Sequence, residues 1–258
     1  MKAVVLGLCV VILPLAGALA EDPPAKGIQD NSFLIEEAFN QEAGQVQHIT
    51  NLRRQGQQWQ FSFSQEWPVY SQTHQVSYSV PYNFGTVRGV GEVTLNYRYQ
   101  LQTETNLRPA IAPRVSLVLP SNHSLDGIGE GSFGYELMLP VSKIVTDRIT
   151  LNFNAGLRSM FDVAGHQPTI YRLGGSAIYA VTRDTNFLLE TIGDWVESVD
   201  INGRLQRDFE LTLLPGVRHA FNFADDAQLV IGAGVPIVFA NDTVNAGAFF
   251  YLSFEHKF

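Results

Sequence analysis

The residues that could do chemistry in this chain form a pattern, not a motif. Glu92, Arg98, Arg114, Glu136, Arg158, Arg172, Glu190, Asp194, Glu210 and Arg218, joined by Glu255 and Lys257, alternate with apolar and aromatic residues along their stretches. Together they are six acids and six bases. A mixed and balanced set at period two suits ion pairing across a wet interior better than a strongly ion-selective ring. Such pairs either satisfy a narrow, partly filled interior or line a solute path, and both readings stay open from the residues. Charge at membrane depth is tolerated when it faces inward or is paired, so the register of these residues matters more than their identity.

Catalytic and metal-binding motifs are absent from the sequence. The histidines His48, His74, His123, His166, His219 and His256 are scattered and show no His-Glu-x-x-His spacing. No Gly-x-Ser-x-Gly elbow occurs. Gly129-x-Gly131-x-x-Gly134 has dinucleotide spacing but leads into a strand pattern, so a flexible outer loop is the expectation. Asp126 and Glu130 in the same loop are read as solvated, with a surface divalent cation as the alternative. A hydrolase assembled at a rim from His and Ser on different strands remains a rival class. No metal, no cofactor and no enzymatic activity are expected.

The elements that must hold these side chains are strands. In Phe249–Phe258, the residues Phe250, Leu252, Phe254, His256 and Phe258 share one face, while Phe249, Tyr251, Ser253, Glu255 and Lys257 share the other. The same alternation recurs in Trp59–Ser64, Val76–Val80, Val93–Leu101, Phe133–Leu139, Ile149–Arg158, Tyr171–Tyr179 and Phe209–Arg218. About twelve strands are expected between Gln45 and Phe258, an even number as in bacterial barrels. Connections at one end (69–73, 103–108, 142–148, 182–185 and 221–226, with Asp225 in the last) read as short turns. Those at the other (120–131, 160–168, 197–207 and 236–244) read as longer loops. Short inner turns and longer outer loops are the outer-membrane arrangement. Trp59, Trp67, Tyr97, Tyr99, Tyr135, Tyr171, Tyr179 and Trp195 are candidates for interfacial aromatic girdles.

Composition agrees. Charged residues make up 16% of the chain, against about 25% for an ordinary soluble domain. The net charge of −8 argues against a nucleic-acid partner. Residues 1–20 read as a signal peptide: Lys2, an apolar core, then Ala18-Leu19-Ala20 before Glu21. The sole cysteine, Cys9, falls within it, so neither a disulfide nor a thiolate metal site is expected in the mature chain.

Residues 21–44 form a separate N-terminal segment. Phe33, Leu34, Ile35, Ala38 and Phe39 fall on one helical face. The expectation is a short helix or extended piece packed near a barrel mouth, or else a plug that enters the lumen through Phe33, Leu34, Ile35 and Phe39.

The run Asn31-Ser32-Phe33-Leu34-Ile35-Glu36-Glu37-Ala38-Phe39-Asn40-Gln41-Glu42, followed by Val46-Gln47-His48-Ile49, resembles the opening of a family of outer-membrane proteins. They are described as phenol meta-pathway degradation proteins or simply as transporters. The resemblance runs from about residue 31 to the end. The terminal strand, closing on Phe258, resembles the last strand of bacterial outer-membrane barrels, which the assembly machinery reads. The reading is therefore all-β: a single antiparallel transmembrane barrel of about twelve strands over residues 45–258, with a short N-terminal helical or plug segment. It implies an exported outer-membrane protein that meets lipid and the barrel-assembly machinery. Its expected role is passive passage of small solutes, aromatic or hydrophobic ones as the resemblance hints. The alternative is a closed structural or adhesin-like barrel.

Overall fold

The computed structural model describes residues 27–28, 30–120, 129–200, 202–223 and 226–258. The expected signal peptide with Cys9, the loop residues His123 and Asp126, and Asp225 lie outside the described residues.

Strands account for nearly all of the regular structure. They are β1 (Gln45–Gln55), β2 (Gln58–Val69), β3 (Ser71–Phe84), β4 (Gly89–Val90), β5 (Val93–Tyr99), β6 (Ala110–Ile111), β7 (Arg114–Leu119) and β8 (Gly134–Thr146). The second half of the wall is β9 (Ile149–Met160), β10 (Thr169–Ala180), β11 (Thr185–Val199), β12 (Leu205–Asn222), β13 (Gln228–Gly234), β14 (Ile237–Ala240) and β15 (Thr243–Lys257). Three staves are built from two pieces each: β4 with β5, β6 with β7, and β13 with β14. The last two breaks fall at Pro113 and Pro236, where a residue without an N–H leaves the ladder. The result is a twelve-stave antiparallel sheet with each stave beside its sequence neighbours. β1 pairs with β15 from Gln45↔Lys257 to Gln55↔Gly247, so the sheet closes on itself. Closure leaves no edge of unpaired backbone groups, which lipid would not tolerate.

Alternation then sorts the side chains. Leu117, Phe153, Leu189 and Phe250 point outward and are each about half exposed: 46%, 47%, 52% and 48%. Their counterparts recur around the whole wall, an apolar surface far larger than a water-soluble monomer shows. Inward positions hold Ser, Asn, Gln and the charged set. No helix among the described residues is long and apolar enough to cross a membrane; the wall is all strand.

Two of the expected longer loops are shorter than their composition suggests, and the expected turn at 142–148 narrows to Asp147-Arg148 between β8 and β9. The expected loop at 197–207 is only 200–204, because β11 continues to Val199 and β12 starts at Leu205. There the Asp200 carboxylate accepts hydrogen bonds from the amides of Arg204 (2.8 Å) and Asn202 (2.9 Å), which close the turn and hold its carboxyl below the usual carboxylate range. The expected loop at 236–244 contains β14 and a two-residue turn, Asn241-Asp242. Both of these residues have positive φ (47° and 59°), the turn geometry that matches strand twist and that Asn and Asp tolerate. The same Asn-Asp pair that reads as loop composition is thus a hairpin signal.

Candidate functional site

The N-terminal segment lies inside the barrel, and it is not helical: residues 30–42 contain bends and irregular backbone. A helix would satisfy its amides internally. Here the amides of Ser32 and Glu37 find acceptors within the segment, Ile35 O and Asn31 Oδ1, and inward side chains of the wall take most of the others. The amides of Phe33, Leu34 and Ile35 all donate to the Glu190 carboxylate on β11 (2.6, 2.9 and 3.4 Å). Glu36 N–H donates to Asn154 on β9 (2.8 Å), and Ala38 N–H to Ser142 on β8 (2.7 Å). Asn40 N–H donates to Gln100 just past β5 (3.0 Å), and Gln41 N–H to Gln75 on β3 (2.8 Å). Buried amides must find acceptors, and these acceptors exist only once the barrel has formed.

Read from Gln41 back to Asp30, the contacts pass round the inner wall in close to strand order. They run from β3 through β5, β8 and β9 to β10 and β11, where the Ser32 and Ser176 hydroxyls are 2.6 Å apart. They continue to β12, where the Arg218 guanidinium donates to the carbonyls of Asp30 (3.0 Å) and Asn31 (2.7 Å). The Tyr251 hydroxyl on β15 then donates to Asp30. Gln47 on β1 joins the two ends, donating to Asp30 (2.7 Å) and accepting from Gln41. The segment is a nearly closed ring within the lumen. Glu37 bridges its middle: its carboxylate is 3.5 Å from Arg218, and its carbonyl accepts from Arg98 (3.2 Å) on the opposite side of the wall. Between the ring and the turns at the Phe258 end lies a cavity of about 190 Å³, lined by Glu66, Arg98, Arg183, Asp226 and Glu255 among others.

The ring is also anchored by packing. Phe33 is 4% exposed and stacks at a tilt on Phe249 (5.1 Å) and Tyr251 (5.6 Å). Its ring rests on Gly216, Gly232 and Gly234, where a Cβ would come within 2.3, 2.6 and 3.3 Å of it. Ile35 sits over Gly174 in the same way, at 2.4 Å. Glycines on the inward register make a recess of aromatic size, completed by Leu214 and Val230. Leu34 packs partly buried against this cluster, and Phe39 packs beside Ala38, Ala110 and Ala112.

All ten charged candidates occupy the inward register, but they act in three groups. Arg98, Glu190 and Arg218 hold the ring. Arg114 does so in part: it pairs with Glu36 of the ring (2.6 Å) and with Glu136 on the wall. Arg158 pairs with Glu92 (3.2 Å) and Arg172 with Asp194 (2.7 Å), wall to wall. Glu210 stands opposite Asp194 in register. Each of the uncharged partners Gln47, Gln75, Gln100, Ser142, Asn154 and Ser176 escapes a search for charge, as do the recess glycines. Their one sequence signal is polar or glycine identity on the inward parity.

The described histidines do not face the ring. His74 meets the Tyr97 hydroxyl (2.7 Å), His219 the Thr185 hydroxyl (2.8 Å), and His166 the Gly203 carbonyl (3.1 Å). These contacts do not form the converging His and Ser rim that a hydrolase requires.

No known protein-family profile and no curated protein matches the sequence, so the likeness to the phenol meta-pathway family stays a resemblance. Solved structures do share the fold. The COG4313 outer membrane channel from Pseudomonas putida F1 superposes with a TM-score of 0.65 at 14% identity, over 86% of this chain and 98% of that one. The NanC porin gives 0.54 at 11% identity, over 83% and 100%. The KdgM porin gives 0.52 at 12% identity, over 82% and 99%.

Proposed function

We propose that the protein is a passive outer-membrane channel for small solutes, closed at rest by residues 30–42. One observation carries this reading: inward side chains from staves all round the wall, Gln75, Gln100, Ser142, Asn154, Glu190 and Arg218 among them, end on a separate segment of the chain. The apolar outer face and the fold shared with outer-membrane channels support the membrane address. In that address lipid covers the staves, and the exposed terminal Phe258 belongs to the signal for assembly.

The Phe33 recess supports aromatic or other hydrophobic solutes. When the ring undocks, a glycine-floored pocket walled by Phe249, Tyr251 and Leu214 is left vacant. A solute with a phenyl-sized group fits what Phe33 leaves. Swelling of proteoliposomes tests both parts. Phenylalanine is expected to drive faster swelling than glutamine, a polar solute of similar size. Equal rates would remove the aromatic preference. No swelling with any solute, even after the ring is loosened, would leave a closed structural barrel, the reading that the ring's dense anchoring favours.

A further inference from the structure

A histidine pair lies on the outside of the closing seam, apart from the ring and its contacts. His48 lies on β1 and His256 on β15, on the outward face near the end where both strands meet the N-terminal segment. They sit diagonally across the seam: His48 is opposite Phe254, and His256 is opposite Val46. Their Nε2 atoms are 3.2 Å apart, with rings nearly parallel (19°). The 3.2 Å contact is a hydrogen bond between the two rings, and two nitrogens bound to one zinc at about 2.0–2.1 Å in tetrahedral geometry lie ~3.3 Å apart, so an ion could replace the shared proton with little movement of either ring. The tautomer is set as well. His256 Nδ1–H donates to the Lys257 carbonyl (2.7 Å), so its Nε2 carries a lone pair, which accepts the His48 Nε2–H until a cation displaces that proton. Metal-ligating histidines are held in the same way by a backbone carbonyl.

We propose that His48 and His256 form a two-histidine site for an imidazole-preferring divalent transition ion, a staple across the seam that closes the barrel. Imidazole nitrogens favour zinc, copper and nickel over magnesium or calcium. Two protein ligands leave the remaining positions to water. Among the described residues no group of three or more His, Cys, Asp or Glu converges, which sets this site apart from a structural zinc centre with four protein ligands. The ion would join the first and last staves, whose only other covalent link is the length of the chain.

Calorimetric titration of Zn²⁺ into tag-free, folded protein in detergent tests the site. The expected result is one ion per barrel, weakened at least about tenfold in His48→Ala and, separately, in His256→Ala, and unchanged in His219→Ala. The temperature at which the folded form converts to the unfolded band on a gel should rise with Zn²⁺ in the wild type and in neither seam variant. Absence of saturable binding would overturn the proposal. Binding that survives either seam substitution would overturn it too, because a single histidine would then suffice.

Discussion

Glu190 on β11 and Phe33 in the N-terminal ring are 157 residues apart in sequence, yet the Phe33 amide donates to the Glu190 carboxylate at 2.6 Å. The same carboxylate takes the next two amides. One side chain on the wall therefore organises the bend that points Phe33 into its recess and Ile35 onto Gly174.

Glu190→Gln should loosen the ring without harming the wall. Gln keeps the size but offers one accepting oxygen and turns an NH₂ toward three N–H donors. Each charge-assisted hydrogen bond lost is worth about 1.5–3 kcal/mol, and 1.4 kcal/mol is tenfold in a population. Swelling rates in proteoliposomes should rise at least about tenfold. An unchanged rate with a folded barrel would mean that Glu190 does not hold the segment.

Phe33→Ala should act in the same direction, because deleting a buried Phe costs roughly 3–5 kcal/mol, and that cost falls on docking. Gly232→Ala approaches the same contact from the wall: its Cβ would meet the Phe33 ring at 2.6 Å, with no positive φ to strain the backbone. A double-mutant cycle read by single-channel conductance should be strongly non-additive. Additive effects would separate the two residues and contradict the recess.

Facing can be tested at Leu189 and Ser62. Leu189→Arg puts a charge on the outward face and should cost about 2–4 kcal/mol in folding into lipid vesicles near mid-membrane. Ser62→Arg, on the inward register opposite Asn51, should cost less than about 1 kcal/mol, because lumen positions stay hydrated. Equal costs would contradict the assigned faces.

Replacing Arg218 by Met removes the cation that serves Asp30, Asn31 and Glu37. Stranding a buried carboxylate costs about 3–5 kcal/mol. Digestion by a protease added at the Phe258 end should then cut within residues 30–42, where the wild type resists. Wild-type resistance in the variant would show that Arg218 is dispensable.

The wall was legible in the sequence because period two writes the face of each residue directly into its position. Phe250, Leu252 and Phe254 declare the outside, and Arg98, Glu190 and Arg218 the inside, without tertiary knowledge. The ring was legible as a plug candidate but not in its conformation. Phe33, Leu34, Ile35, Ala38 and Phe39 share a helical face, yet Glu190, Asn154 and Ser142 offer the amides better-placed acceptors than a helix in the lumen would. Those acceptors arrive from strands more than 100 residues away, and no local pattern encodes them. The histidine pair was equally hidden, since His48 and His256 meet only when the first and last staves close.

A reversible lock tests the central claim most directly. Ser32 and Ser176 face each other with hydroxyls 2.6 Å apart, so cysteines at both positions are placed for a disulfide, in a chain whose sole native cysteine is Cys9. Swelling or conductance of this double variant, measured oxidised and then reduced, is the measurement. The account predicts that oxidation fastens the segment to the wall and suppresses flux, and that reduction restores it. Equal flux in the two states would mean that the ring does not move when solutes pass.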